Sequence, residues 1–451
     1  MTAALLALLL ATTPVAARPI AITHVAVVDV EAGTIVRDRS VVIERGRITA
    51  IGDAFAVPRG ARRVDGRGGY LVPGLVDMHV HLFNNASKRA PNDWAFPLFV
   101  ASGVTGVREM AALPSDVAQV RTWNDAVDAG KLVAPRVLAT GVPVRCGEGR
   151  DVVAQVDAIA NVGAFAKVFS DVDDACFAQL MDASRERNVT VVGHVPAGVA
   201  LLDAAKAGLR TDEHLMQAFE ACTTREREWL AARAGLAGQA QAAKRDEQEA
   251  DVLAVFDAET CRSVARELFA TKLVHVPTLV LQHMDVVAQA APDGDPRWPL
   301  LRADEQARWH RYLAPEFVPA PALAAARDRV ALAIARTFHD AGVPLLAGTD
   351  APMPNLWPGS SLHEELALLV EAGLTPAEAL RAATLAPARF LGVDGELGTV
   401  AVGKRADLVL LDENPLVDIA ATRRIRAVAL RGRWLDRAAL DALLRPVPSR
   451  E

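Results

Sequence analysis

The chain lacks several features that would each point to a different kind of protein. No apolar run reaches the roughly 18 to 20 residues that a membrane-spanning helix needs, so no span is expected. Basic residues are scattered, and a formal net charge of -6 leaves no cationic face for a nucleic acid. Cysteine is scarce. Cys146, Cys176, Cys222 and Cys261 form no CxxC pair, which argues against a zinc knuckle or a thioredoxin-type site. Cys222 and Cys261 bracket a long helical stretch, and in an oxidising compartment a bond between them would tie its ends, although sequence alone does not choose the pairing.

What is present is a globular composition. With 451 residues, 51% of them hydrophobic, the chain can build one large barrel with an appendage. The start, "MTAALLALLLATTPVAAR", has a short apolar core followed by Val15-Ala16-Ala17 and reads as a signal peptide over residues 1–17, which implies a periplasmic or secreted protein. Against that stands the absence of any Lys or Arg before Arg18; without cleavage the protein would be cytoplasmic.

Residues 18–70 alternate Val and Ile with turn residues, the pattern of short antiparallel strands, and a similar passage returns over 394–451. The two pieces are expected to pair into one small β-sandwich. Between them, residues 71–393 alternate apolar runs with amphipathic helices, the texture of βα units around a parallel sheet. Eight strand candidates can be read: "GLVDMHVH", "VTGVREM", "PRVLATG", "FAKVFS", "VTVVGHV", "LRTDEH", "LVHVPTL" and "VPLLAGTD". The fold class is therefore α/β, a TIM-type (β/α)8 barrel, whose chemistry sits at the C-terminal ends of its strands. Within the long connection 216–270, "QAAKRDEQEADVLAVF" reads as a solvated amphipathic helix. The stretch 281–330 carries Trp298, Trp309, His310, Tyr312 and Phe317 and is expected to form a substrate wall or lid, with plain helix packing as the alternative.

Polar residues interrupt these apolar strands at one end. His79 and His81 close the first, Lys167 lies in the fourth, and His194, His214 and Asp350 close the fifth, sixth and eighth. His79 and His81 share a strand face with Asp77 and stand roughly 7 Å apart, so both imidazoles can close on one ion. A buried ammonium has three donors and no acceptor and cannot coordinate a cation. Lys167 suits a metal site only if burial keeps it neutral and CO2 converts it to an anionic carbamate; the alternative is a lysine that snorkels to solvent. Asp77 either sets an imidazole tautomer or caps a neighbouring backbone group.

On "PGLVDMHVHL", "VTGVRE", "AKVFS", "GHV" with "EHL" close behind, "VPTL", "GTD" and the tail from "SLHEELALL" onward, the chain resembles the amidohydrolase superfamily over nearly its whole length. The resemblance implies two divalent ions, zinc being the first expectation. His79, His81 and Asp350 would hold one, His194 and His214 the other, and carboxylated Lys167 would bridge them. The short spacing from His194 to His214 is similar to the imidazolonepropionase-like and prolidase-like branch; hydantoinases and dihydroorotases space these histidines further apart. The activity implied is hydrolysis of a peptide-type amide, in an N-acyl amino acid or dipeptide, by a metal-bridging hydroxide. Asp350 would serve as proton carrier and His275 as a donor to the oxyanion or to a substrate carboxylate. Arg108 and Arg145 are further candidates for that carboxylate. Exchange of Glu213 for Gln is expected to be mild. The alternatives are hydrolysis of a cyclic amide or lactone, and a scaffold without catalysis. The expected partners are a small carboxylate-bearing substrate and other copies of the chain in a homo-oligomer, with no nucleic acid and no membrane span.

Overall fold

A computed structural model of the chain describes residues 18–53, 57–84, 90–287, 292–314 and 318–445. The expected signal peptide and Phe317 lie outside the described residues. Eight strands form one small sheet: β1 (Ile20–Asp29), β2 (Thr34–Glu44), β3 (Arg47–Gly52), β4 (Arg62–Asp65), β5 (Tyr70–Pro73) and, from the C-terminal segment, β13 (Leu408–Leu411), β14 (Ile425–Leu430) and β15 (Arg433–Asp436). Its order is β15-β14-β13-β5-β1-β2-β3, with β4 also on β1. Pairing is antiparallel except where β1 meets β4 and β5. The sheet is therefore mixed rather than purely antiparallel, because the chain leaves β3 and returns to β1 through a loop instead of a hairpin.

The two-residue period of the strands explains how this sheet serves two cores. Leu408 and Leu410 join Ile48 of β3 and Trp434 of β15 in one enclosed cluster. Val409 and Leu411 face the other way, into the main core with the barrel helices. The register shifts in β1 beside Val25 let the sheet bend around its own cluster.

The second sheet is parallel and follows the chain: β6 (Leu75–Val80), β7 (Val104–Glu109), β8 (Arg136–Pro143), β9 (Phe165–Val168), β10 (Val191–Gly193), β11 (Thr211–Glu213) and β12 (Val274–Val276). Helices cross between them and begin on sequence-legible caps: the Asp151, Asp173 and Asp257 side chains each accept from the backbone N–H three residues on. Gly208 ends its helix in the left-handed region, as Gly does after a helix C-terminus.

The eighth strand candidate closes the barrel without becoming a regular strand. Residues 344–351 bridge β12 through His275 N–H to Pro344 O and Leu346 N–H to His275 O, and β6 through Met78 N–H to Ala347 O and His81 N–H to Ala351 O. Asp350 itself sits at φ 64, outside the strand region, so the ladder breaks at the residue whose carboxylate must turn into the lumen.

Candidate metal centre

At the C-terminal end of the barrel four imidazoles form a row. Ring centroids are 5.3 Å apart for His81 and His79, 4.6 Å for His79 and His214, and 4.9 Å for His214 and His194. Asp350 Oδ1 lies 2.7 Å from His81 Nε2 and 3.2 Å from His79 Nε2. One ligand atom from each of His79, His214 and Asp350 falls within 4.8 Å of the others. This tight trio takes members from both of the ligand groups that the resemblance separated.

Three buried polar atoms of this cluster have no hydrogen-bond partner among the described residues: His79 Nε2, Lys167 Nζ and His194 Nδ1. Buried polar groups are almost always paired, and an unpaired one costs on the order of 1–3 kcal/mol. Unpartnered imidazole nitrogens on His79 and His194 fit a cation-binding donor set, which Lys167 would join only as a carbamate. Their protonation agrees. Burial, with the Lys167 ammonium next, holds His79 and His194 well below the usual histidine range, and burial brings His214 to about 4, so these three imidazoles are neutral; at His81 burial also works against the charge, but the adjacent Asp350 carboxylate outweighs it and raises that imidazole. Burial works against the Asp350 charge, but the imidazoles around it, His81 first, keep it ionised. Burial pulls Lys167 down to about 8 against the attraction of Glu213 and Asp350, which brings the neutral amine within reach near pH 8.

Behind the ligands, side chains fix their orientation. Glu213 Oε2 lies 2.8 Å from His79 Nδ1 and accepts its proton, leaving Nε2 as the ligand atom. Glu213 Oε1 takes a hydrogen bond from Arg108 Nη2 at 2.8 Å and another from the Thr211 hydroxyl. His214 Nδ1 is 2.7 Å from Thr278 Oγ1, a hydrogen bond that holds the ring in place. Asp77 is the backbone cap of its two readings: Oδ1 accepts from His79 N–H and Thr349 N–H, and Oδ2 from the Thr349 hydroxyl, pinning β6 to the loop that carries Asp350. Glu213 therefore has the tautomer-setting role that sequence reasoning weighed for Asp77. The only signal for it was a carboxylate one residue before a candidate ligand.

The backbone is specialised at the same places. His214, Leu215, Thr278 and Asp350 all have positive φ. Gly193, at φ 130, precedes His194; a Cβ there would lie 2.3 Å from Val168 O, so only glycine lets β10 approach β9 closely enough to bring His194 beside Lys167.

Three expected substrate groups fare differently. His275 is corrected: its side chain faces away from the cluster, toward the helices around the barrel. There Nδ1 lies 3.2 Å from Asp212 Oδ2 and the ring packs 4.6 Å from that of Phe338 in the helix Pro321–Asp340. Arg108 is corrected too. It is fully buried, donates from Nε to Met78 O at 2.6 Å and pairs with Glu213, so it neutralises the lumen rather than meeting substrate. Arg145 remains exposed, its guanidinium 4.9 Å above the Phe169 ring, which in turn packs against His194.

The aromatic stretch is a buttress. Trp309 is buried against Trp357 at 4.6 Å in a small core with Leu301, and Arg308 donates to Pro352 O, so this stretch supports the loop after Asp350; Tyr312 is exposed. Cys222 is bonded to Cys261, across the helical insertion, and Cys146 to Cys176, a pairing that sequence did not single out. A cavity of about 670 Å3 lies behind the loop after Asp350, against Trp357 and Arg297, and contains no cluster residue. A second, of about 390 Å3, adjoins the segment following His214.

The amidohydrolase family model matches residues 70–435. An imidazolonepropionase of Mycolicibacterium smegmatis is 26% identical over 413 residues, 88% of this chain and 89% of that protein. Other curated matches are local: N-acetylgalactosamine-6-phosphate deacetylase of Escherichia coli O157:H7 is 54% identical over 57 residues, 12% of this chain and 15% of the relative. A putative N-acetylgalactosamine-6-phosphate deacetylase of Escherichia coli (strain K12) is likewise 54% identical over 57 residues, 12% of this chain and only 34% of that relative's length. Among solved structures, bottromycin amidohydrolase superposes with a TM-score of 0.70 at 24% identity, covering 94% of this chain and 89% of that one. A Xaa-Pro dipeptidase with bound methionine gives 0.64 at 19%, covering 93% and 100%. These two likenesses establish the fold.

Proposed function

The chain belongs to the amidohydrolase family, and from that premise we propose that it is a metal-dependent hydrolase of a peptide-type amide in a small N-acyl amino acid or dipeptide. The observation that carries the reading is the grouping of His79, His214 and Asp350 ligand atoms within 4.8 Å of one another at the barrel mouth, in a cluster where His79, Lys167 and His194 each keep a buried, unpartnered nitrogen. His79, His81 and Asp350 would hold one divalent ion, His194 and His214 a second, with the Lys167 carbamate between them. Its formation balances: neutral Nζ attacks the carbon of CO2, an N–C bond forms, and one proton leaves to solvent. Bound divalent ions, zinc by preference, supply Lewis acidity toward the scissile carbonyl and lower the pKa of water.

The chain's own groups do the rest. Glu213 holds His79 in the tautomer that presents Nε2, and Thr278 holds the His214 ring in place. Asp350, ionised and at the mouth, accepts a proton from the attacking water and delivers it to the leaving amine nitrogen. A second reading, hydrolysis of a cyclic amide or lactone at the same site, is favoured by the near-full-length match to an imidazolonepropionase. The inactive-scaffold reading has no support in a donor set with every member present.

The test is a panel of N-acyl amino acids, dipeptides, cyclic amides and lactones, assayed before and after chelation. Chelator-sensitive turnover of the first two classes is expected, and Asp350→Asn should reduce kcat by ~1,000-fold or more while far-UV circular dichroism is unchanged. Chelator-insensitive turnover, or an Asp350→Asn variant of near-normal rate, contradicts the reading. Preference for the cyclic substrates selects the second one.

A further inference from the structure

The helix Gln239–Ala254 has a polar sequence that suggests a solvated surface element, yet it presses on the barrel mouth. A Cβ on Gly198, in the loop that follows His194, would fall 2.1 Å from Gln241 Nε2 of this helix and 2.1 Å from Asp174 Oδ1. The next turn carries Arg245. Its side chain is only 12% exposed, Nη2 donates to the neighbouring Asp246 at 3.1 Å, and Nη1 is fully buried with no partner.

Arg245 lines the cavity of about 390 Å3 that adjoins the segment following His214. The same cavity is walled by Met216, two residues beyond His214, and by Gln282, whose Nε2 donates to His214 O at 3.1 Å. The other guanidinium in the wall is occupied: Arg327 gives Nε and Nη2 to Glu249 at 2.7 and 2.6 Å, and Nη1 to Asp285. Among the described residues of this wall, Arg245 alone has a buried, unused guanidinium N–H.

A planar guanidinium with a free N–H matches a carboxylate, and the pairing is strongest where water is excluded. In an N-acyl amino acid the carboxylate carbon is two bonds from the scissile nitrogen, so its receptor must stand beside the metal cluster. We infer that Arg245 receives the substrate carboxylate and makes the protein selective for amides whose amine side ends in a free acid. The assignment rests on the amidohydrolase reading above. It moves the anchor from Arg108 and Arg145, read from strand ends, to a helix of the insertion.

The experiment compares Arg245→Met and Arg245→Lys with the parent holoenzyme on N-acyl amino acids and on the matching carboxamides. The parent should favour the acids, and Arg245→Met should lose about 100-fold in kcat/KM on acids, mainly through KM, while changing by less than about 3-fold on carboxamides. Arg245→Lys should fall between. A parent indifferent to the free acid, or a variant that loses equally on both series, overturns the assignment. Calorimetric titration with N-methanesulfonyl amino acids and their carboxamides needs no turnover. About 30-fold tighter binding of the acids, abolished in Arg245→Met, is expected, and equal binding of the two series overturns the assignment. Absence of any amide hydrolysis would sink the amidohydrolase reading alone, since the calorimetric preference is measured independently.

Discussion

Glu213 is the residue on which the site's electrostatics turn. It is fully buried, receives His79 on one oxygen and Arg108 on the other, and offsets a guanidinium that has no other counter-ion within hydrogen-bond distance among the described residues. The mild outcome that sequence reasoning assigns to Glu213→Gln is therefore replaced. Glutamine has one acceptor oxygen and no charge, so His79 loses its orienting partner or Arg108 loses its salt bridge to Glu213. Metal affinity should fall by ~10–100-fold, read by competition with a chromogenic chelator, and stability should drop by ~3 kcal/mol, read by urea unfolding of the metal-free protein. A variant with unchanged metal affinity would show that Glu213 does not position His79. The ligands themselves were legible because metal-competent side chains at the ends of apolar strands have few structural explanations. Their supports were not, because a buried Arg–Glu pair in a barrel lumen reads locally like any pair of surface charges.

Elements add tethers. The helix Ser360–Glu371 carries His363, whose Nε2 lies 3.1 Å from Ser102 O and Nδ1 3.0 Å from Thr422 Oγ1, joining the barrel to the segment before β14. Burial, with Arg423 next, lowers this imidazole from 6.5 to about 4. The sign follows. Between those values the unfolded chain binds the proton and the folded chain does not, so stability falls as pH drops below 6.5 and is unaffected above it. At pH 5 the loss is ~2 kcal/mol, and His363→Gln, measured by urea unfolding at pH 7 and pH 5, should lose less on acidification by that amount. An identical pH dependence in both proteins would remove the assignment.

The disulfides act at the same scale. Cys222–Cys261 spans 39 residues and closes the insertion that carries Arg245; Cys146–Cys176 spans 30 and fixes the loop beside Arg145. Each should contribute ~2–4 kcal/mol, so scanning calorimetry with reductant should show a lower unfolding temperature. Free thiols at all four positions, in peptide mapping of unreduced protein, would contradict both bonds. Cysteine spacing hinted at the first, because those residues flank a helical insertion. The second depends on the loop after β8 meeting the helix after β9 in space, which no local pattern reveals. The same limit explains His275: a three-residue strand has too short a period to say which of its faces is the lumen. It explains Arg245 as well, since helical periodicity marks a polar stripe without saying what it lies against.

At the scale of the whole molecule, the small sheet packs on the barrel through Val409, Leu411 and Val428, so the N- and C-terminal segments form one body with the barrel. We further propose export to an oxidising compartment, which two disulfides and the leader-like first residues support. The central claim, however, is the metal pair bridged by Lys167, and metal content tests it most directly. Inductively coupled plasma analysis of chelator-free holoenzyme should find close to two divalent ions per chain, and Lys167→Ala should retain one or fewer. A fully active parent with a single ion, or a Lys167→Ala variant that still holds two, would contradict the account.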